Sequence, residues 1–185
     1  MRSERNNFYI LTGGPGSGKT TIIEALRARG FRCVDEAGRQ ILQEQVKIGG
    51  DAVHWKNQVK YCDLMLSRSI YAFEQIAERE RPVFFDRGIA ELIGYCAMIK
   101  AEVPDYLRNA VEVFRYNPKV FVAPPWKEIY RNDAERKQTW EEAVEGYSAA
   151  CECYPKCGYQ LVEIPVGELA QRVEFILGQV GCVDR

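Results

Sequence analysis

Short apolar runs recur along the chain and alternate with longer segments of helical periodicity. The runs occupy residues 8–12, 31–34, 82–85, 119–123 and 159–164. Near-continuous apolar runs of this length are typical of parallel strands that are buried on both faces of a sheet. We therefore predict five parallel strands.

The segments between these runs carry apolar residues at the three-to-four spacing of amphipathic helices. In one of them Val59, Cys62, Leu66 and Phe73 follow this spacing. The helices are predicted at residues 18–29, 38–47, 53–80, 89–101, 104–115, 140–157 and 167–180. Alternation of strands and helices predicts an α/β fold, with a mostly parallel sheet covered on both faces. We expect residues 1–185 to form one domain of this kind.

Composition narrows the class of protein further. The 185 residues are 46% hydrophobic and 28% charged, with a formal net charge of −1. These values are typical of a globular chain, and the absence of a basic excess disfavours a nucleic-acid partner. No apolar run approaches the length of a membrane helix. The seven cysteines have no disulfide-like spacing, so we expect reduced thiols and a cytoplasmic protein.

A glycine-rich loop joins the first predicted strand to the first helix. Its sequence, GGPGSGKT, matches the phosphate-binding motif G-x-x-x-x-G-K-[ST] in full and lies in the required strand–loop–helix context. Backbone N–H groups of such a loop and the helix N-terminus bind phosphate oxygens. Lys19 is expected to reach the β- and γ-phosphates, and Thr20 to bind Mg²⁺. The predicted nucleotide-binding residues are Gly13, Gly14, Pro15, Gly16, Ser17, Gly18, Lys19, Thr20 and Thr21.

An acidic residue and an arginine follow the third predicted strand. Asp86 comes directly after the apolar run at 82–85 and precedes Arg87. An acid at a strand end beside a phosphate loop is the usual second ligand of Mg²⁺. Asp86 could also cap the helix that follows, and the two roles are compatible. Arg87 is predicted to bind the substrate.

The second strand also ends in carboxylates. Glu36 follows Asp35 there, and Arg39 lies three residues further on. A carboxylate in this place could take the proton of an attacking hydroxyl as a general base, while Arg39 could bind the acceptor. The alternative, held as equally good, is an exposed cap with a surface ion pair of little energetic weight.

Residues 126–139, between the fourth and fifth strands, are mostly polar. They include Arg131 and Arg136, and an arginine that swings over a nucleotide can stabilise the charge of a transferring phosphoryl group. We predict a lid with catalytic roles for both arginines. The alternative is a solvated helix of alternating charge.

Taken together, these motifs resemble a family of small kinase-like P-loop proteins catalogued as an AAA-type ATPase domain. The chain is also similar to the ribosylnicotinamide kinase domain of the bacterial NAD regulator and, more distantly, to thymidylate and deoxynucleoside kinases. The matching segments are residues 13–20, 35–39, 84–88, 123–126 and 133–138. The resemblance implies a three-layer P-loop NTPase sandwich with strand order 2-3-1-4-5, acceptor-side helices at about 38–80 and a lid at about 126–139.

The resemblance also implies a function. It favours an ATP-dependent kinase that uses Mg²⁺ and ATP or GTP to phosphorylate a small nucleoside- or nucleotide-like acceptor, with Glu36 where deoxynucleoside kinases carry a catalytic acid. The alternative is an ATPase or GTPase switch that acts on a protein partner. The guanine-reading motif of Ras-type GTPases, Asn/Thr-Lys-x-Asp, is missing from the sequence. The sequence leaves the acceptor, the preferred base and the oligomeric state open.

Overall fold

The computed structural model describes residues 2–129 and 139–182. Within these ranges the elements are, in chain order, β1 (Ser3–Glu4), β2 (Phe8–Gly13), α1 (Lys19–Ala28), β3 (Arg32–Val34), α2 (Gly38–Ile48), α3 (Gln58–Gln75), β4 (Val83–Asp86), α4 (Glu91–Met98), α5 (Asp105–Val113), β5 (Phe114–Arg115), β6 (Lys119–Ala123), α6 (Trp140–Lys156), β7 (Gln160–Glu163) and α7 (Leu169–Val180).

Five of the strands form one parallel sheet. Its order is β3-β4-β2-β6-β7, and all four strand pairings are parallel. Counted along the chain as the five predicted strands, this order is 2-3-1-4-5, so the predicted α/β sandwich is confirmed. The structure adds one element that was not expected, a short parallel ribbon of β1 and β5.

Side chains alternate between the two faces of the sheet and form two hydrophobic clusters. In β4, Phe84 joins Ile22 and Val173 on the face covered by α1 and α7. Its neighbour Phe85 joins Phe73 in the cluster on the opposite face, which draws on α3 to α6. Phe84 is fully buried, and full burial of a phenylalanine contributes about 1.5–3 kcal/mol. Packing on both faces of the sheet therefore fixes the central strands, including their carboxyl ends.

One predicted helix was too long. The expectation was residues 53–80, whereas α3 covers Gln58–Gln75. At its start, the Asn57 side chain accepts a hydrogen bond from the backbone N–H of Lys60 at 3.1 Å and caps the helix. Beyond its end, the Glu78 carboxylate accepts hydrogen bonds from the backbone N–H groups of residues 79, 80 and 81, which hold a turn before β4. Local side-chain hydrogen bonds thus end the helix earlier than its apolar spacing indicated.

Candidate functional site

The predicted phosphate loop joins β2 to α1 in the structure. It leaves β2 at Gly13 and enters α1 through Gly18, which is the N-cap and has a φ of 84°, in the left-handed region that favours glycine. Lys19 is 6% exposed. Its ammonium group donates hydrogen bonds to the carbonyl oxygens of Gly13 at 2.7 Å and Gly14 at 2.9 Å. The lysine side chain therefore folds back over the loop, with its charge where phosphate oxygens are expected.

Two glycines of the loop are required by their neighbours. A Cβ at Gly13 would lie 2.3 Å from the carbonyl oxygen of Ala123, at the end of β6. A Cβ at Gly14 would lie 2.0 Å from the carbonyl oxygen of Ala143, in α6. Both neighbours are backbone atoms that cannot rotate away, so the loop is clamped between β6 and α6.

Asp86 and Arg87 lie at the sharp turn after β4. Asp86 is the last residue of the strand and is in register with Leu11 of β2, two residues before Gly13. Arg87 donates its backbone N–H to the Leu11 carbonyl oxygen at 2.9 Å and has a φ of 71°, which is rare for any residue other than glycine. The turn thus brings the acidic group and the arginine to the strand edge that carries the phosphate loop. Strained backbone of this kind is often found at functional sites.

The Arg87 guanidinium contacts two carboxylates. Its Nε lies 3.2 Å from Glu36 Oε1, and its Nη1 is paired with Glu91 Oε1. Burial lowers the pKa of the Arg87 guanidinium, but the carboxylates of Glu36 and Asp86 outweigh this effect and raise it. The arginine therefore stays charged and holds the Glu36 carboxylate through an ion pair.

Glu91 is a site residue that the sequence did not indicate. Besides Arg87, its carboxylate accepts hydrogen bonds from the Thr12 hydroxyl at 2.7 Å and from the Tyr154 hydroxyl at 2.9 Å. The Tyr154 hydroxyl in turn accepts a hydrogen bond from the backbone N–H of Gly88 at 3.2 Å. These contacts join the strand before the phosphate loop, the turn after β4 and helix α6. Glu91 and Tyr154 are 63 residues apart, so spacing along the chain gave no sign of the junction.

A cavity of about 440 Å³ lies beside the loop. It is lined by Pro15 of the phosphate loop and by Tyr61 and Tyr95. Glu36, Asp86, Arg87 and Glu91 are also part of its wall. This volume lies in the range of small-molecule binding sites.

The structure gathers only some of the predicted site residues around this cavity. Thr20 and Thr21 lie in the first turn of α1 and are exposed, whereas Arg39 is exposed on α2 and is not among the residues that line the cavity. Arg131 and Arg136, with most of the predicted lid, lie outside the described residues. Their roles stay predictions.

A phosphate loop at the carboxyl edge of a parallel sheet of this order, followed by an acidic strand end, defines a P-loop protein of kinase-like architecture. A family model described as AAA domain matches residues 8–172, and the chain belongs to that family. A search of curated proteins found no match.

Solved structures share the fold at low sequence identity. NadR protein in complex with NR matches with a TM-score of 0.72 and 18% identity, over 96% of this chain and 50% of the NadR chain. Deoxyadenosine kinase from M. mycoides has a TM-score of 0.67 and 16% identity, over 95% of this chain and 100% of the kinase chain. Thymidylate kinase from Ehrlichia chaffeensis has a TM-score of 0.60 and 14% identity, over 96% of this chain and 99% of the kinase chain. These structures establish the fold alone. In the described part of the chain, none of the helices has the length and apolar character required to span a membrane.

Proposed function

We propose that the protein is a kinase that transfers the γ-phosphoryl group of ATP or GTP, bound with Mg²⁺, to a hydroxyl group of a small nucleoside-like acceptor. The observation that carries the proposal is the continuity of the cavity. One cavity is lined both by Pro15 of the phosphate loop and by Tyr61 and Tyr95. An acceptor with a flat ring packed against these tyrosines could therefore direct a hydroxyl group towards the loop.

The charges around the cavity favour an acceptor without a phosphate group. Among the residues that the structure describes, six carboxylates line it, belonging to Asp35, Glu36, Asp86, Glu91, Glu142 and Glu145. The two arginines in the described part of its lining are both paired with acids: Arg68 with Glu44 at 2.7 Å, and Arg87 with Glu36 and Glu91. A monophosphate would have to displace these acids before an arginine could bind it. A nucleoside has no phosphate group and could bind without breaking these ion pairs.

The residues present also suit magnesium. Mg²⁺ prefers oxygen ligands and usually takes one or two from the protein and the rest from phosphates and water. Thr20 offers a hydroxyl group in the first turn of α1, and Asp86 offers a carboxylate at the neighbouring strand end. Among the described residues, His, Cys, Asp and Glu side chains form no cluster of three that could hold a metal without a nucleotide. Bound there, the ion would neutralise charge on the phosphates.

In this mechanism each residue has a distinct part. The N–H groups of the loop and the Lys19 ammonium bind and orient the phosphates of the nucleotide. Glu36 accepts the proton of the acceptor hydroxyl, and Arg87 holds Glu36 in place through their ion pair. Arg131 and Arg136 are proposed to stabilise the transferring group from the lid.

The decisive experiment is nucleotide consumption by the purified protein with Mg²⁺ and a panel of acceptors. The panel contains nucleosides, ribosylnicotinamide and nucleoside monophosphates, because fold relatives are deoxyadenosine and thymidylate kinases and a protein that binds NR. Stimulation by one acceptor, lost in Lys19→Ala, would support the kinase. Equal slow hydrolysis in every reaction would instead favour a nucleotide-dependent switch that acts on a protein partner.

The cellular location that we propose is the cytoplasm. All seven cysteines are free thiols, and five of them have a raised pKa, chiefly because of burial or hydrogen bonding. A reducing compartment keeps such thiols unpaired. Fractionation of cells that express the protein would test this.

A further inference from the structure

Helix α7 brings an arginine into contact with the phosphate loop. Arg172 is 3% exposed, and its Nη2 donates a hydrogen bond to the carbonyl oxygen of Ser17 at 3.0 Å. Ser17 is the residue before the left-handed Gly18, so this contact fixes the peptide that leads into α1. The contact joins residues 155 positions apart.

The neighbours of the guanidinium close it off from water. A Cβ at Gly18 would lie 2.7 Å from Arg172 Nη1 and 3.2 Å from Ile129 Cδ1, so the guanidinium packs directly against this glycine. The Trp126 ring lies above the guanidinium carbon, with its centroid 5.9 Å away. A cation–π contact at this distance offsets only part of the lost hydration.

Among residues 2–129 and 139–182, no carboxylate lies within 4.0 Å of this guanidinium, and its buried Nε has no hydrogen-bond partner. Two other buried arginines, Arg5 and Arg115, each donate to two carbonyl oxygens, whereas Arg172 donates to one. A buried cation without a counter-charge is unfavourable in free energy. Burial also lowers the pKa of the Arg172 guanidinium.

We propose that Arg172 is a positioning residue of the nucleotide site, whose counter-charge is the polyphosphate of the bound nucleotide. It acts through the Ser17–Gly18 peptide, which it holds in the phosphate-binding geometry, and through its positive charge directly behind the loop. The proposal rests on the nucleotide-binding part of the proposed function and makes no use of the acceptor.

Two substitutions separate charge from hydrogen bonding. Arg172→Gln keeps a donor for the Ser17 carbonyl oxygen and removes the charge, whereas Arg172→Lys keeps the charge. Binding of ATP, ADP and AMP to each variant is measured by titration calorimetry with Mg²⁺ present. Arg108→Gln is the matched control, because Arg108 lies on α5 with 57% of its side chain exposed.

We expect Arg172→Gln to weaken ATP binding by about tenfold to a hundredfold, since a charge that faces the phosphates through protein acts at low effective dielectric. The loss should decrease from ATP to ADP to AMP as negative charge is removed. Arg172→Lys should recover most of the affinity, and Arg108→Gln should match the wild type. Thermal melting without nucleotide confirms that each variant is folded. If Arg172→Gln does not fold, the affinities of Arg172→Lys and of the wild type for the three nucleotides test the proposal instead.

Equal affinity of wild type and Arg172→Gln for ATP would overturn the proposal. So would an equal loss for all three nucleotides, because that result indicates a structural role only. If the wild type binds no nucleotide, the proposed function itself fails, and this outcome is visible before any Arg172 variant is compared.

Discussion

Glu36 and Arg87 form an ion pair in the wall of the cavity beside the phosphate loop, with Glu36 Oε1 3.2 Å from Arg87 Nε. The two side chains are only 29% and 24% exposed, so the carboxylate is held in one orientation rather than moving freely in solvent. A general base must be held in this way before it can accept a proton in a defined direction.

Substitution of Glu36 tests this role. We expect Glu36→Gln to lower kcat for a hydroxyl acceptor by about a hundredfold or more, because the amide cannot accept the proton. The control is Glu24→Gln, an exposed carboxylate on α1. Steady-state kinetics with varied acceptor gives the answer. A change in acceptor KM alone would assign Glu36 to binding.

Substitution of Asp86 tests the metal site. Asp86→Asn should raise the Mg²⁺ concentration that gives half-maximal activity by about tenfold, because a neutral amide is a weaker ligand than a carboxylate. Asp105→Asn, whose side chain is 100% exposed on α5, is the control. An unaltered magnesium titration would remove Asp86 from the metal site.

Glu91 is predicted to be important for stability as well as for the site. In Glu91→Ala the hydroxyl groups of Thr12 and Tyr154 and the Arg87 guanidinium lose their shared acceptor, and we expect the free energy of unfolding to fall by about 2 kcal/mol. Urea denaturation measures the change, with the exposed Glu112→Ala as the control. An equal urea midpoint for Glu91→Ala and Glu112→Ala would contradict the stabilising role of Glu91. Glu91→Gln should preserve more stability and raise the acceptor KM.

The clamped phosphate loop gives a matched pair of glycine variants. Gly14→Ala introduces a Cβ 2.0 Å from the Ala143 carbonyl oxygen, and we expect a loss of about 1–3 kcal/mol in stability together with weaker nucleotide binding. Gly178→Ala, in α7, meets no atom within 4 Å and should stabilise the protein by about 0.5–1 kcal/mol. Thermal melts with and without ATP measure both effects. Gly14→Ala melting as high as wild type would show that the loop can move.

The Glu78 carboxylate in the turn before β4 should make the stability of the protein depend on pH. Three backbone hydrogen bonds, chiefly those from Glu80 and Arg81, lower the pKa of the Glu78 carboxyl from its ordinary 4.5. A lowered folded-state pKa contributes stability that is present above pH 4.5 and lost as the pH falls through the folded value. Glu78→Gln should therefore melt below wild type at pH 7, and the difference in melting temperature should narrow as the pH falls below 4.5. A gap that is independent of pH would exclude the carboxylate charge as its cause.

Local sequence patterns were enough to predict part of this site. The phosphate loop lies within nine consecutive residues, and Asp86 and Arg87 follow directly from the end of an apolar run, so periodicity and motif spacing located both. Glu91 and Arg172 were missed, because each acquires its role through contacts with residues far away in the chain. An isolated glutamate or arginine on a helix carries no sign of such a contact. The early end of α3 was missed for a different reason, since its cap and the following turn depend on single side-chain hydrogen bonds.

The clamp on the phosphate loop has a consequence for how this protein could diverge. Backbone carbonyl groups of Ala123 and Ala143 confine the loop, whereas side chains of α3 and α4, such as Tyr61, Met65 and Tyr95, shape the acceptor cavity. Exchange of those side chains leaves the backbone clamp untouched. If the proposed function holds, acceptor choice can therefore change by a few substitutions without altering the proposed nucleotide-binding loop, which makes the cavity wall a natural target for redesign.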